Sequence, residues 1–404
     1  MNAEDSQERG KLFVLITVGL LYSVGVAYLF ASLPNQRFTD DFFPRWYASK
    51  KLLTTGRSLY DWTNAREVSA ITGWPRTHQL GYYYPAYLLL FTAPLSMIPY
   101  EVARFIWTVF GLWCLWLGTV IFARLLAPNF STNRLTLLLV LMTASVPVLQ
   151  HTLNAQFNAP GVLALALTYR ALRREKYLLA GVWAGGLLFK PQATLLPLFS
   201  FLMWSVLERN RRRFWVGLAL AGIALCGLAE ALAPGWVFHF WRALDSYEPV
   251  RSLVDRIWNP YYIVSITFTI MTVWFTFRLR RVPASANSFS GLLVWTIGLN
   301  ALIVPMFGML HVVQIEPVFA LLLGGFAALY PSFALRVWIG TIGLFVAGIL
   351  AFVIPLLLTG ISGLQITTAE MVYKVAMPTL LSLASLPLMF HRGAARHTIL
   401  FPLE

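Results

Sequence analysis

Residues 12–33 read LFVLITVGLLYSVGVAYLFASL, an apolar run without a charged side chain. A helix needs about 20 consecutive apolar residues to cross the roughly 30 Å hydrocarbon core of a bilayer, and this run supplies them. The segment before it, Met1–Gly10, is polar and acidic, and no small-x-small cleavage site closes the run. It therefore reads as a first transmembrane helix, not as a cleavable signal.

Similar runs recur near 103–123, 135–150, 159–172, 177–190, 192–207, 214–232, 258–277, 290–308, 312–330, 334–357 and 372–390. With 12–32 they predict an all-α polytopic membrane protein of about 12 transmembrane helices. Composition agrees. Of 404 residues 58% are hydrophobic and only 12% charged, whereas a soluble domain carries about 25% charged residues. A chain so poor in charge cannot wet its own surface. Cys114 and Cys226 both fall in apolar runs and read as buried thiols, silent about redox compartment.

The net charge of +14 would suggest nucleic acid for a soluble protein. Here the basic residues gather in short connections: Arg170, Arg173, Arg174 and Lys176; Arg209 and Arg211–Arg213; Arg278, Arg280 and Arg281; Arg392 and Arg396. Short loops rich in Lys and Arg stay cytoplasmic, so these are topology signals and no nucleic-acid partner is expected. An even number of spans separates the clusters, which puts both termini in the cytoplasm. The chain reads as a single transmembrane domain, 1–404, in a prokaryotic plasma membrane, without internal repeat or soluble domain.

The same parity requires that 84–98 does not cross. Pro85, Pro94 and Pro99 interrupt it, and a helix lying in the interface fits better. One large external loop remains, from Leu33 to about Val102, with smaller ones near 233–257 and 358–371. The large loop holds Asp40, Asp41, Arg45, Lys50, Lys51, Asp61, Arg66, Glu67, Arg76 and His78 among many Trp and Tyr.

Five features there and beyond could carry chemistry. Asp40 and Asp41 follow the first span directly, at the water–lipid boundary. Adjacent carboxylates repel, while Arg37 and Arg45 act the other way; the plainer reading is that Asp41 caps the helix beginning at Phe42. Gly81–Tyr82–Tyr83–Tyr84–Pro85 is either a site element or an aromatic belt. Gln156 and Asn158 offer amides suited to sugar hydroxyls, or they cap a helix. Lys190, before Pro191, sits where a cation must snorkel or face a polar cavity such as a phosphate pocket. His311, with Glu316 near it, is an ionisable pair at membrane depth. A P-loop, an HExxH helix, a Cys/His cluster and a GxSxG elbow are all missing from the sequence.

At these residues the chain resembles a known family. Asp41–Phe42, Trp46–Ser49, Gly56 and Leu59–Asp61 resemble the opening motif of the polyprenyl-phosphate-mannose-dependent mannosyltransferases, glycosyltransferase family 87 of the GT-C superfamily. Tyr84–Pro85 through Pro94–Leu95 to Ile106–Trp107 is similar to its YPP…PL…W stretch, with Ala86 in place of the second proline. Gln156 and Asn158 resemble its GQxN step, with Ala155 replacing Gly; Ala180–Gly181 to Lys190 and His311 to Pro317 resemble later stretches. The matches run in order from about 40 to 317, while the last spans carry no motif.

The resemblance implies a GT-C-like bundle whose first external loop carries interfacial helices and roofs an extracytoplasmic active site. It implies a polyprenyl-phosphate sugar donor, a lipid or glycan acceptor, and an acid of the loop as base. Asp41 is then the expected base. Lys190, and after it Arg45, would meet the phosphate; Gln156, Asn158 and Tyr84 would orient sugar hydroxyls. Asp40 and His311 join the substrate-binding set. No cofactor is implied beyond the donor. Asp40 and Asp41 leave a divalent ion open, though no second cluster of oxygen ligands accompanies them. The competing readings are a flippase or transporter of lipid-linked sugars, a GT-C enzyme with a pentose donor, and a membrane scaffold. The first leaves the acidic, aromatic loop unexplained, and the last has no use for Lys190 at depth.

Overall fold

The structure, a computed structural model, describes residues 3–32, 40–75, 77–126, 131–143, 146–206, 208–245 and 260–306. His311, Glu316 and the runs expected at 312–330, 334–357 and 372–390 lie outside these residues. Among the described residues all regular structure is helical. The helices are α1 (Ala3–Ser32), α2 (Phe42–Thr55), α3 (Trp62–Thr72), α4 (Leu89–Ser96), α5 (Tyr100–Leu126), α6 (Thr132–Thr143) and α7 (Val146–Leu153). Then come α8 (Ala159–Arg173), α9 (Tyr177–Ala184), α10 (Pro191–Val206), α11 (Arg213–Leu232), α12 (Trp236–Asp245), α13 (Pro260–Arg278) and α14 (Asn287–Met306).

Of the expected spans, two among the described residues are long and apolar enough to cross a membrane by length and composition: Tyr100–Leu126 and Arg209–Leu232. They differ in surroundings. The apolar window of α5 is 61% buried, whereas that of the second span is 11% buried. Ile223, Leu220 and Val216 of α11 are all more than half exposed. A contiguous apolar face of that extent is costly in water, and lipid is the solvent that suits it. Together these apolar helices suggest a membrane protein.

Small residues set the helix packing. A Cβ on Gly181 of α9 would fall on the Phe214 carbonyl oxygen, and one on Gly217 of α11 on that of Leu178. These helices touch backbone to backbone, the close approach that small residues permit in membranes. Gly118 of α5 approaches the backbone of Leu163 on α8 in the same way.

The segment between α1 and α5 folds as short helices. Asp40 starts α2: its Oδ1 accepts the N–H groups of Phe42 (2.6 Å) and Phe43 (3.3 Å). Gly56 ends α2 at φ +69°, a left-handed C-cap that costs glycine nothing. Asp61 caps α3 by accepting from the Thr63 N–H at 2.8 Å, and Gly73 closes it at φ +71°. The proline-broken stretch gives a 3₁₀ turn, Ala86–Leu88, and then α4, which at eight residues reaches only about 12 Å. Such a helix is too short to cross the bilayer. The 233–257 connection, read as a loop, contains α12, which buries Trp236 and leaves Phe238 and Trp241 exposed.

The two ends of the bundle differ in chemistry. α8 runs from Ala159 to Arg173, the chain returns through α9 to Lys190, and α10 goes back toward Glu208. Basic residues collect at one end. There Arg211 donates to the Arg280 carbonyl (2.6 Å) and its guanidinium stacks 3.9 Å above the Trp204 ring, so two basic clusters meet. At the other end the short helices of the first loop cover the α7–α8 turn, with the Asp41 N–H donating to the Asn154 carbonyl at 2.9 Å.

Candidate active site

Asp40 and Asp41 are adjacent, yet they point to different partners. The Asp40 side chain has no exposed surface. Its Oδ1 caps α2, while its Oδ2 meets Arg104 Nε at 2.5 Å and accepts from the Tyr100 hydroxyl. Burial pushes its carboxyl above the ordinary carboxylate value, opposed by Arg104, the Tyr100 hydroxyl and the Phe42 N–H. The cap expected of Asp41 is thus supplied by Asp40, and the Asp41 side chain makes no cap hydrogen bond. Asp40, expected among the substrate-binding residues, has both oxygens engaged by the protein. Its observed part is to fix the start of α2 against α5.

Asp41 is left for other contacts. Its Oδ1 pairs with Arg45 Nη1 at 2.9 Å, one helical turn on. Its Oδ2 accepts from the Tyr84 hydroxyl at 2.7 Å. The side chain keeps 19% of its surface exposed.

Tyr84 stands at the centre. Its carbonyl accepts from the Tyr60 hydroxyl at 2.8 Å, which fixes the turn before Pro85. The Arg45 guanidinium lies 5.0 Å from the Tyr84 ring centroid and Lys190 Nζ lies 5.4 Å from it. Both distances suit attraction between a cation and an aromatic face. Lys190 is buried, at 3% exposure, and its Nζ donates to Gln156 Oε1 at 2.9 Å. The cation has not snorkelled. Pro191 explains its place: the residue before a proline avoids the helical region, and Lys190 at φ −142°, ψ 75° breaks the chain between the 3₁₀ turn Gly185–Phe189 and α10.

Five of the residues singled out in the sequence therefore form one connected group: Asp41, Arg45, Tyr84, Gln156 and Lys190. Asn158 is near them in the chain, buried at the start of α8, and neither atom of its side-chain amide finds a hydrogen-bond partner. The helix-capping role open to it in the sequence is not what is seen, since it makes no side-chain cap bond.

Ala155 occupies φ +45°, a left-handed conformation that favours glycine. The turn carrying Gln156 is held there by Ala155 itself, whose N–H donates to the Thr152 carbonyl and whose carbonyl accepts from Trp107 Nε1.

Glu67 is of a different kind. Hydrogen bonds from Tyr47, Arg57 and Lys51 hold its carboxyl well below the ordinary value, at about 2. A carboxylate so weakly basic is poorly matched to proton abstraction near neutral pH.

Some partners were not marked in the sequence. Tyr100 and Arg104, which anchor Asp40, lie in the first two turns of α5. His151, buried at 3% exposure on α7, lies five residues before Gln156, and only its polarity within an apolar run could have drawn attention to it.

No curated protein and no solved structure matches the chain. The model of glycosyltransferase family 87 matches residues 82–259, a stretch that includes Tyr84, Gln156, Asn158 and Lys190 and begins after Asp41. That is the family which the ordered motifs resemble, and the match implies a glycosyltransferase.

Proposed function

We propose that the chain is a membrane glycosyltransferase that moves a sugar, mannose or a related hexose, from a polyprenyl-phosphate donor to a lipid or glycan acceptor. The observation that carries this reading is the bridge formed by Tyr84 between an acid, Asp41, and a buried cation, Lys190. Sugar transfer from a phosphate needs both. Asp41 takes the proton of the acceptor hydroxyl, whose oxygen bonds to the anomeric carbon. The bond from that carbon to the phosphate oxygen breaks, and the phosphate leaves with the electron pair. Lys190 offsets the charge that develops on it, with Arg45 in support. Gln156 and Tyr84 orient sugar hydroxyls, and His311 completes the substrate-binding set. No cofactor is implied beyond the donor, and Asp40 and Asp41 leave a divalent ion open.

Topology supports the same reading. The basic clusters belong in the cytoplasm. The opposite end, with Asp41 and Lys190, then faces outward, under the 33–102 loop, and both termini lie inside. The whole chain forms one bundle of about 12 spans in a prokaryotic plasma membrane. The polyprenyl tail remains in hydrocarbon throughout, which costs little. The match to a glycosyltransferase family favours transfer over a flippase.

The test is transfer from polyprenyl-phosphate-linked mannose by the full chain in nanodiscs, with glucose and pentose donors for comparison. Turnover with a hexose donor supports the reading. Sugar movement across sealed vesicles without any new glycosidic bond would replace it with the flippase.

A further inference from the structure

Three polar atoms gather around the start of α8 without a protein partner. They are Oδ1 and Nδ2 of Asn158 and Nδ1 of His151, all buried. Asn158 and His151 are 2% and 3% exposed. A buried polar group without a partner forfeits its hydration with nothing in return, and native proteins hold few of them. Three such atoms on two neighbouring residues give the start of α8 a polar lining.

The backbone points the same way. The first N–H groups of a helix have no partner within it and form its positive end. The start of α8 is enclosed: Ala159 and Gly161, which carry N–H groups there, are buried, as is Pro160, which has none. Asn158 stands at the N-cap position without capping.

A cation stands beside this lining, and the nearby Asp41 carboxylate is paired with Arg45. Lys190 lies close enough to His151 for their charges to interact, and it donates to Gln156, two residues before Asn158. His151 Nε2 and the Ala159 side chain each lie 3.7 Å from the position of a Cβ on Gly111 of α5, which puts the imidazole beside the start of α8.

We infer that the buried N-terminus of α8, with Asn158, His151 and Lys190, is the seat of the phosphate group of a polyprenyl phosphate. The Asn158 amide and the imidazole N–H donate to phosphate oxygens, Lys190 neutralises them, and the helix end adds its dipole. Asn158 thus serves the phosphate and not the sugar. This deepens the proposed function and rests on its phosphate-linked donor.

Asn158→Asp separates a seat from a cap. Aspartate is a good N-cap and suits a helix N-terminus, so a merely structural Asn158 tolerates it. A phosphate seat does not, because the two anions repel. The experiment measures binding of a polyprenyl phosphate, the corresponding polyprenol and inorganic phosphate to the full chain in zwitterionic nanodiscs, together with the thermal midpoint. The wild type should bind the polyprenyl phosphate at least tenfold more tightly than the polyprenol, with inorganic phosphate weaker than the polyprenyl phosphate. Asn158→Asp should keep its midpoint and lose that preference, and His151→Leu should weaken it about tenfold. Wild-type-like preference in both variants would overturn the seat and leave the phosphate-linked donor standing. A wild type that does not discriminate phosphate from alcohol would overturn the donor reading and the seat with it. Should Asn158→Asp not fold, the preference of His151→Leu decides alone.

Discussion

The Tyr84 hydroxyl donates to Asp41 Oδ2 across 2.7 Å, although 43 residues separate them in the chain. The contact joins the start of the first loop to the turn that precedes Pro85, and Lys190 faces the same ring. The ring and the hydroxyl have separate tasks in this arrangement.

Tyr84→Phe removes the hydroxyl and keeps the ring. A hydrogen bond to a charged group contributes about 1.5–3 kcal/mol, so kcat should fall about 10- to 100-fold if Tyr84 aims the carboxylate. KM for the donor should rise only modestly, through the lost hydroxyl contact to the sugar, since Lys190 retains its aromatic neighbour. Tyr84→Ala should raise KM further. Steady-state kinetics on both variants checks the split; an unchanged kcat in Tyr84→Phe would remove Tyr84 from the chemistry.

Asp40→Asn should act on stability. It leaves the Arg104 guanidinium buried beside a neutral side chain, and breaking a buried ion pair costs about 3–5 kcal/mol. The thermal midpoint should drop clearly, and Asp40→Asn with Arg104→Met should recover part of the loss. A variant as stable as the wild type but devoid of transfer would instead place Asp40 in the chemistry.

How much of this was legible in the sequence depends on what each residue type must do. The helical class followed from apolar runs longer than any soluble core helix needs, and the short, broken helices of 84–98 followed from its prolines. The choice between Asp40 and Asp41 as the cap was not legible. Both residues suit a cap, and the decision lies with Tyr100 and Arg104, 60 and 64 residues away. Ala155 is another case: its departure from the Gly of the resembling motif is visible, but the φ of +45° it must adopt is a property of the turn. α12 went unread because a ten-residue amphipathic helix looks in sequence like a polar connection with aromatics. His151 went unread because its meaning lies in the unpartnered groups around it.

Acid should loosen the first loop through Glu67. Its carboxyl, at about 2, lies below the ordinary 4.5 because Tyr47, Arg57 and Lys51 bond to it. A lowered folded-state value means that this contribution is complete above about pH 4.5 and is lost as pH falls toward 2. Glu67→Gln should therefore flatten the acid side of a plot of thermal midpoint against pH. An unchanged acid limb would show that the Tyr47–Arg57–Lys51 cluster adds nothing to the fold.

The most direct test concerns Asp41. Asp41→Asn keeps the shape of the side chain but cannot take the acceptor proton. General base catalysis contributes about 10²–10⁴-fold. Single-turnover transfer from a polyprenyl-phosphate-linked hexose should fall by that factor or vanish, while binding of the polyprenyl phosphate stays at the wild-type level. Transfer at a near-normal rate by Asp41→Asn would contradict the account and return the search to the other acids, Asp40, Glu67 and Glu316.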